Sequence, residues 1–320
     1  MKMSATEVLV RNKKIKNFAV GIFKFVFIFG ICYLFLFPIL NMLITAFRPL
    51  ETASDPTVVW IPAGFSLEGV KLAMEQLQYG KSTFLSAEIT ILSTIAALAS
   101  CSLAGYGLAR FKFPGKSVTM VFLILTIIVP PQVMYSSTYL LYRFFDFGGL
   151  LSIFGTSINL IESPGVFIVP SIFAAGLRNG LFVYIFYSFF KGLPLEMEEA
   201  AKIDGCGVFK TYIRVMAPMA VPAFITVLLF SLVWHWTDYQ NSITYFSQEV
   251  RPIVAMLSSL QRAVMNDQLG LGNAGNIMDS STMRIYLQAG ATLCIAPPLI
   301  LYLFFQKYFT ESIERTGLVG

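Results

Sequence analysis

The sequence is short of charge, of histidine and of paired cysteine. Only 13% of its 320 residues are charged, against 56% hydrophobic, with 30 Phe and a mean hydropathy of +0.70. Soluble domains carry roughly 25% charged residues, so this composition excludes them and indicates an integral membrane protein in contact with lipid. The single histidine, His235, lies in Trp-His-Trp near the end of an apolar run and is expected to be packed or hydrogen-bonded. The four cysteines are Cys32, Cys101, Cys206 and Cys294. None is spaced as a metal or disulfide pair, and three sit in apolar runs as small hydrophobes. No metal cluster and no nucleophile–base grouping occurs, so no catalytic residue and no metal site are assigned, and the chain is not expected to be an enzyme. Gly80-Lys81-Ser82-Thr83 looks like the end of a phosphate-binding loop, but the earlier glycine of that motif would fall on Glu75. A net charge of +5 is too modest to argue for nucleic acid, and its placement is more informative than its size.

What the sequence does have is long apolar runs. A crossing needs about 20 mostly apolar residues, and six segments qualify: roughly 25–47, 86–109, 118–142, 165–190, 218–240 and 285–306. The expected organisation is an N-tail over 1–24, one six-span domain over 25–306 and a C-tail over 307–320. The second span is rich in Ala, Ser and Gly, which suits close helix packing. Pro130-Pro131 interrupts the third, and Arg178-Asn179-Gly180 falls inside the fourth, whose true crossing is expected nearer Leu181. The basic start (Lys2, Arg11, Lys13, Lys14, Lys16) precedes an apolar run too long for a cleaved signal, so the run reads as an uncleaved first span. With both ends inside and Lys24 counted at the start of the first span, the inner segments (the two tails, 110–117 and 191–217) hold fourteen of the 23 Lys and Arg; the outer segments hold seven, and Arg178 lies within the fourth span. That two-to-one bias follows the positive-inside rule. It puts loops 48–85 and 241–284 outside, the first with an amphipathic stretch from Leu67 to Leu77, the second irregular near 269–281 where Gly, Asn and Ser cluster.

Residues 194–222 form a polar, helix-prone island between two spans. Pro194 suits a first helical turn, and Glu196, Glu198 and Glu199 favour the positive end of the helix dipole. Leu195, Ala200, Ala201 and Ile203 give a small apolar docking face, and Gly205 after Asp204 can take the positive φ that ends a helix sharply. A second helix is expected from about Val208, with Phe209, Tyr212, Ile213 and Met216 at helical spacing. By composition alone an amphipathic connector explains this stretch equally well.

The pattern Glu199-Ala200-Ala201, then Asp204-Gly205, then Pro218 and Pro222, resembles the cytoplasmic "EAA" loop of permease subunits of binding-protein-dependent ABC importers, with Cys206 where Ala is more usual. The run from Ala104 to Gly115 (Ala-Gly-Tyr-Gly-Leu-Ala-Arg-Phe-Lys-Phe-Pro-Gly), Val129-Pro130-Pro131-Gln132 and Trp236-Thr237-Asp238-Tyr239 are similar to stretches of the carbohydrate-uptake branch. Thr316-Gly317-Leu318-Val319-Gly320 resembles the Gly-rich tail of the second permease in maltose-type transporters.

The resemblance implies an all-α, six-span type I importer permease in a bacterial inner membrane, paired with a second homologous permease. It implies two ATPase subunits, which bind ATP and Mg while this chain holds no cofactor, and an extracellular solute-binding protein that delivers sugar. Glu199, Ala200, Ala201, Asp204 and Gly205 would couple the ATPases to the spans, and loop 241–284 resembles a region that reaches into the binding protein's sugar cleft. Sugar needs planar polar groups and aromatic faces, for which Gln132, Tyr135, Arg178, Asn179, Trp236 and Asp238 are the candidates; the sugar itself is left open. Two other readings are weighed. An ion-coupled secondary transporter would need carboxylates within spans, for which Glu88 and Asp238 are the only candidates. A non-transport scaffold would need neither broken spans nor the helical island.

Overall fold

The computed structural model describes residues 5–53, 55, 64–268 and 280–317. It is all-α: among the described residues the only β pairing is an isolated bridge between Phe145 and Ile158. The Gly-, Asn- and Ser-rich stretch 269–279 and the tail residues 318–320, together with the expectations attached to them, lie outside the described residues. By contact, the chain divides into two compact units, residues 1–73 with 264–292 and residues 74–263 with 293–320.

In the first unit, helix α1 (Ala5–Ala46) runs unbroken through the first apolar segment, and none of its apolar window is buried. Burial begins only at its end, where Met42, Thr45 and Ala46 are covered. The amphipathic stretch read from the sequence is α2 (Glu68–Gln76). Gly69 on α2 is the contact point: a Cβ there would meet Ile285 at 2.8 Å.

The second unit is organised around α3 (Tyr79–Arg110), whose buried positions Ser82, Ser86, Ile89, Ser93, Ala97, Cys101 and Gly105 recur every three or four residues. That stripe of small side chains lets neighbouring backbones approach closely. At Gly105 a Cβ would meet Phe186 Cβ at 2.5 Å and Tyr187 N at 2.9 Å, so the helix carrying those two residues crosses α3 at a point that tolerates no side chain. The third apolar segment is α4 (Lys116–Ile128) and α5 (Tyr135–Arg143), bent by 100°. The residue before a proline is pushed out of the helical region; Val129 and Pro130 each precede one and are extended, with ψ 123° and 130°.

The fourth segment is divided between α6 (Gly165–Ile172) and α7 (Asn179–Gly192), so the helix restarts two residues before Leu181. Next come α8 (Glu196–Ile203), α9 (Val208–Thr211), a π-helical turn over Tyr212–Met216, α10 (Ala217–Met219) and α11 (Val221–Thr237). The run 208–219 and α11 meet at a 77° bend, beside Pro218 and Pro222, which cannot donate to a continuous helix. Two further helices, α12 (Tyr239–Tyr245) and α13 (Ile253–Gln268), occupy the stretch read as the second outer loop, and α14 (Ser280–Gly317) carries the sixth segment. By length and composition α1, α3, α14 and the two bent pairs can each cross a membrane.

The core between α3, α7 and α11 is aromatic and small by turns, with Phe182, Phe186 and Phe190 buried against Ala97, Cys101, Ala220 and Ala223. A polar seam within it runs from the Thr94 hydroxyl to Ser231 (2.9 Å) and on to His235 Nδ1 (3.2 Å). His235 is buried and hydrogen-bonded within the chain.

Candidate functional site

The polar island folds as two helices around a hard turn. Helix α8 is capped by a Schellman motif: the Gly205 N–H donates to the Lys202 carbonyl (3.0 Å) and the Cys206 N–H to the Ala201 carbonyl (2.9 Å). Gly205 sits at φ 76° with nothing within 4 Å of where a Cβ would be, so the turn needs glycine for its backbone and not for space. Cys206, next in the chain, is half-buried.

Helix α8 has a distinct inner side. Glu198 and Ala201, three residues apart, are buried, whereas Ala200 and Glu199 are exposed and Leu195, Met197 and Ile203 are 59%, 44% and 86% exposed. The docking face read from the sequence therefore loses Ala201, which packs inward, and keeps Leu195, Ala200 and Ile203.

Glu198 is the residue that pattern reading missed. Its carboxylate accepts from the Tyr106 hydroxyl (3.0 Å) and lies 3.5 Å from Arg110 Nε, an ion pair in which both side chains are at most 7% exposed. Arg110 Nη2 also donates to the Leu193 carbonyl (2.8 Å), the C-cap of α7. Arg110 Nε itself has no aligned hydrogen bond, so Coulomb attraction rather than directed bonding holds that contact. Around it Tyr106 packs on Phe190 (5.5 Å), Phe111 (5.6 Å) and Tyr212 (5.2 Å), and the Tyr212 hydroxyl meets Ser102 (2.6 Å). The ends of α3 and α7, helix α8 and the π-helical turn thus converge on one buried charge pair. Lys202 also reaches Glu198 (3.6 Å) but is 55% exposed, where such pairs contribute little.

A second feature lies where the broken segments meet. A cavity of about 490 Å³ is walled by α4, α5 and the α6–α7 break, and its polar lining includes Tyr135, Thr138, Tyr142, Arg178, Asn241 and Tyr245. That volume falls within the range of about 300–1,000 Å³ usual for small-molecule sites. The break is locked. Ser100 Oγ donates to the Ser171 carbonyl (2.6 Å), and fully buried Asn179 closes on the Gly176 and Leu177 backbone. Gly176 and Gly180 leave no room for a Cβ beside Ser171 and Thr126. Ala174 and Arg178 both sit at φ 55°, a conformation that side chains disfavour and that clusters at functional sites. Arg178 is exposed, with its guanidinium 4.7 Å from the Trp234 ring centroid.

Of the six side chains read as sugar contacts, Tyr135 and Arg178 line this cavity. Asp238 accepts from the Asn241 backbone (3.3 Å) and from its Nδ2 (2.7 Å) just behind the wall. Three others are elsewhere. Asn179 is engaged with the backbone of the break, Trp236 is buried with Nε1 donating to the Cys294 carbonyl (3.0 Å), and Gln132 is exposed on the turn after Pro130. Thr138 and Tyr142 were missed, although Tyr135, Thr138 and Tyr142 recur at i, i+3 and i+7, one face of a helix.

Residues 99–315 match the family model described as the binding-protein-dependent transport system inner membrane component. The polygalacturonan/rhamnogalacturonan transport system permease protein YtcP of Bacillus subtilis (strain 168) is 26% identical over 314 residues, covering 96% of this chain and 100% of that one. The arabinooligosaccharides transport system permease protein AraQ of the same organism is 28% identical over 299 residues, covering 90% and 92%. A chain of a bacterial ABC transporter involved in the import of the acidic polysaccharide alginate superposes with a TM-score of 0.69 at 16% identity, covering 97% of this chain and 99% of that one.

Proposed function

The chain belongs to the family of binding-protein-dependent transport system inner membrane components, and from that membership we propose that it is a transmembrane subunit of an ATP-driven carbohydrate importer. The two permeases named above belong by name to transport systems for polygalacturonan/rhamnogalacturonan and for arabinooligosaccharides, and the chain covers nearly their whole length. The permease itself hydrolyses nothing; separate ATPase subunits bind ATP and Mg. A second, homologous permease completes the pathway, and an extracellular binding protein delivers the sugar. Both termini and residues 191–217 face the cytoplasm, as the distribution of Lys and Arg indicates.

The observation that carries this reading is helix α8. Its inner side is fixed by the buried Glu198–Arg110 pair, while Ile203, 86% exposed, stands outward with Leu195, 59% exposed. Large apolar side chains grouped on an aqueous face mark a protein interface. An ATPase seated on them moves α8, and because α8 is tied to the ends of α3 and α7, those helices move with it. That is rigid-body alternating access. Glu199, Ala200, Asp204 and Gly205 shape the seat and its turn; Ala201 and Glu198 hold it from within.

In proteoliposomes holding this chain with its partner permease, ATPase and binding protein, uptake of arabino- or galacturono-oligosaccharides should require internal ATP. It should persist when a protonophore collapses the proton gradient. Uptake that survives without ATP and stops with the protonophore would instead establish an ion-coupled transporter.

A further inference from the structure

We propose that the cavity at the α6–α7 break is a saccharide subsite selective for a carboxylate-bearing sugar, with Arg178 receiving the carboxylate. The inference rests on the importer reading above and narrows it to a substrate class. A guanidinium next to apolar spans is costly unless it faces a polar cavity or a partner, and Arg178 is exposed on the wall of a cavity. Among the described residues Glu198 pairs with Arg110 and Lys202 within 4.0 Å, and Arg178 is in neither pair. Asp238 lies within electrostatic range of it, but both Asp238 oxygens are already engaged by Asn241. The cation is therefore held in place with its donors uncommitted to another charge.

The way it is held fits a receptor. The guanidinium carbon lies 4.7 Å from the Trp234 ring centroid, a cation–π contact that holds the head group, and Trp234 is itself stacked on Phe182 (5.5 Å) and Phe230 (5.1 Å). A guanidinium so held is a planar fork that can give a carboxylate two parallel N–H donors. The backbone presenting it is strained, at φ 55°, and locked by Asn179, Gly176 and Gly180, so its position is set before ligand arrives. The rest of the lining is of the kind that suits a pyranose: Tyr135, Tyr142 and Phe167 are aromatic, and Thr138 and Asn241 are polar. A neutral sugar would satisfy the rings and leave the guanidinium donors without a hydrogen-bonded anion, whereas a uronate satisfies both.

The test is equilibrium binding of radiolabelled trigalacturonate to the assembled importer in nanodiscs. The binding protein is left out, so that its own selectivity does not filter the ligand. The fully methyl-esterified trimer, the same shape without charge, is the comparison. The wild type should prefer the acid, and Arg178→Gln should weaken acid binding about tenfold to a hundredfold, the loss expected for a charge-assisted hydrogen-bonded pair, and erase the preference. Arg178→Lys keeps the charge over Trp234 but loses the fork and should fall between. Equal wild-type binding of acid and ester overturns the proposal without any variant, as does unchanged acid binding in Arg178→Gln. A complex that imports the neutral trimer with ATP yet shows no acid preference overturns the subsite and leaves the importer reading standing. One that takes up no saccharide with ATP overturns both.

Discussion

Glu198→Ala should abolish sugar uptake while ATP hydrolysis continues without responding to the binding protein. The substitution removes one partner of a charge pair whose side chains are 5% and 7% exposed. Breaking such a pair from one side costs about 3–5 kcal/mol, because the remaining charge stays buried and unpaired. Against a whole-domain stability of about 5–15 kcal/mol, that loss is large enough to undock an eight-residue helix without unfolding the bundle. The Tyr106 hydroxyl loses its acceptor in the same step. The readout is uptake and ATPase activity measured on the same proteoliposomes, with co-purification confirming that the complex assembles. Glu198→Gln with Arg110→Gln removes both charges and should recover part of the activity, since residues in one network are coupled by about 0.5–3 kcal/mol. Lys202→Ala removes only the exposed arm of the network and should change uptake little, because exposed pairs are worth at most about 1 kcal/mol. Tight coupling in Glu198→Ala would show that the pair does not hold the joint.

Gly205→Pro should be equally severe, and for a separate reason. Proline fixes φ near −65°, opposite in sign to the 76° observed, and deletes the N–H that donates to Lys202. The Schellman cap cannot form, and α8 loses its fixed exit toward α9. Gly205→Ala separates backbone from bulk. Since nothing lies within 4 Å of the added methyl, only the left-handed strain of about 1–2 kcal/mol remains, and uptake should be reduced, not lost. The checks are sugar uptake and ATPase stimulation by the loaded binding protein, with membrane levels followed by immunoblot. Near-normal stimulation in Gly205→Pro would remove the turn from the mechanism.

Local chemistry made much of this legible in advance. The α8 turn follows from Asp204-Gly205 and the bent third segment from Pro130-Pro131, and the interruption of the fourth segment follows from Arg178-Asn179-Gly180, because glycine and proline act on the backbone wherever they fall. What depended on tertiary placement was hidden. Pattern favoured Glu199, but which of two adjacent carboxylates points inward is set by Tyr106 and Arg110, some ninety residues earlier. The same holds for Asn179 and Trp236, polar groups that the chain uses on its own backbone. Helix α13 does carry a local signal: Ile253, Met256 and Leu260 recur at helical spacing and are buried.

The residue after the turn gives the molecule a built-in reporter. Of the four cysteines, Cys101 and Cys294 are buried and Cys32 is exposed only along the apolar length of α1. Cys206 alone sits in the polar island, half-buried, with its N–H closing the Schellman cap. A water-soluble maleimide should therefore mark the joint in the native chain, without any cysteine being added or removed. Its rate of attachment should fall when an ATPase is seated on α8 and rise when the ATPase is stripped away, making the docking of one subunit on another a matter of thiol chemistry read in real time.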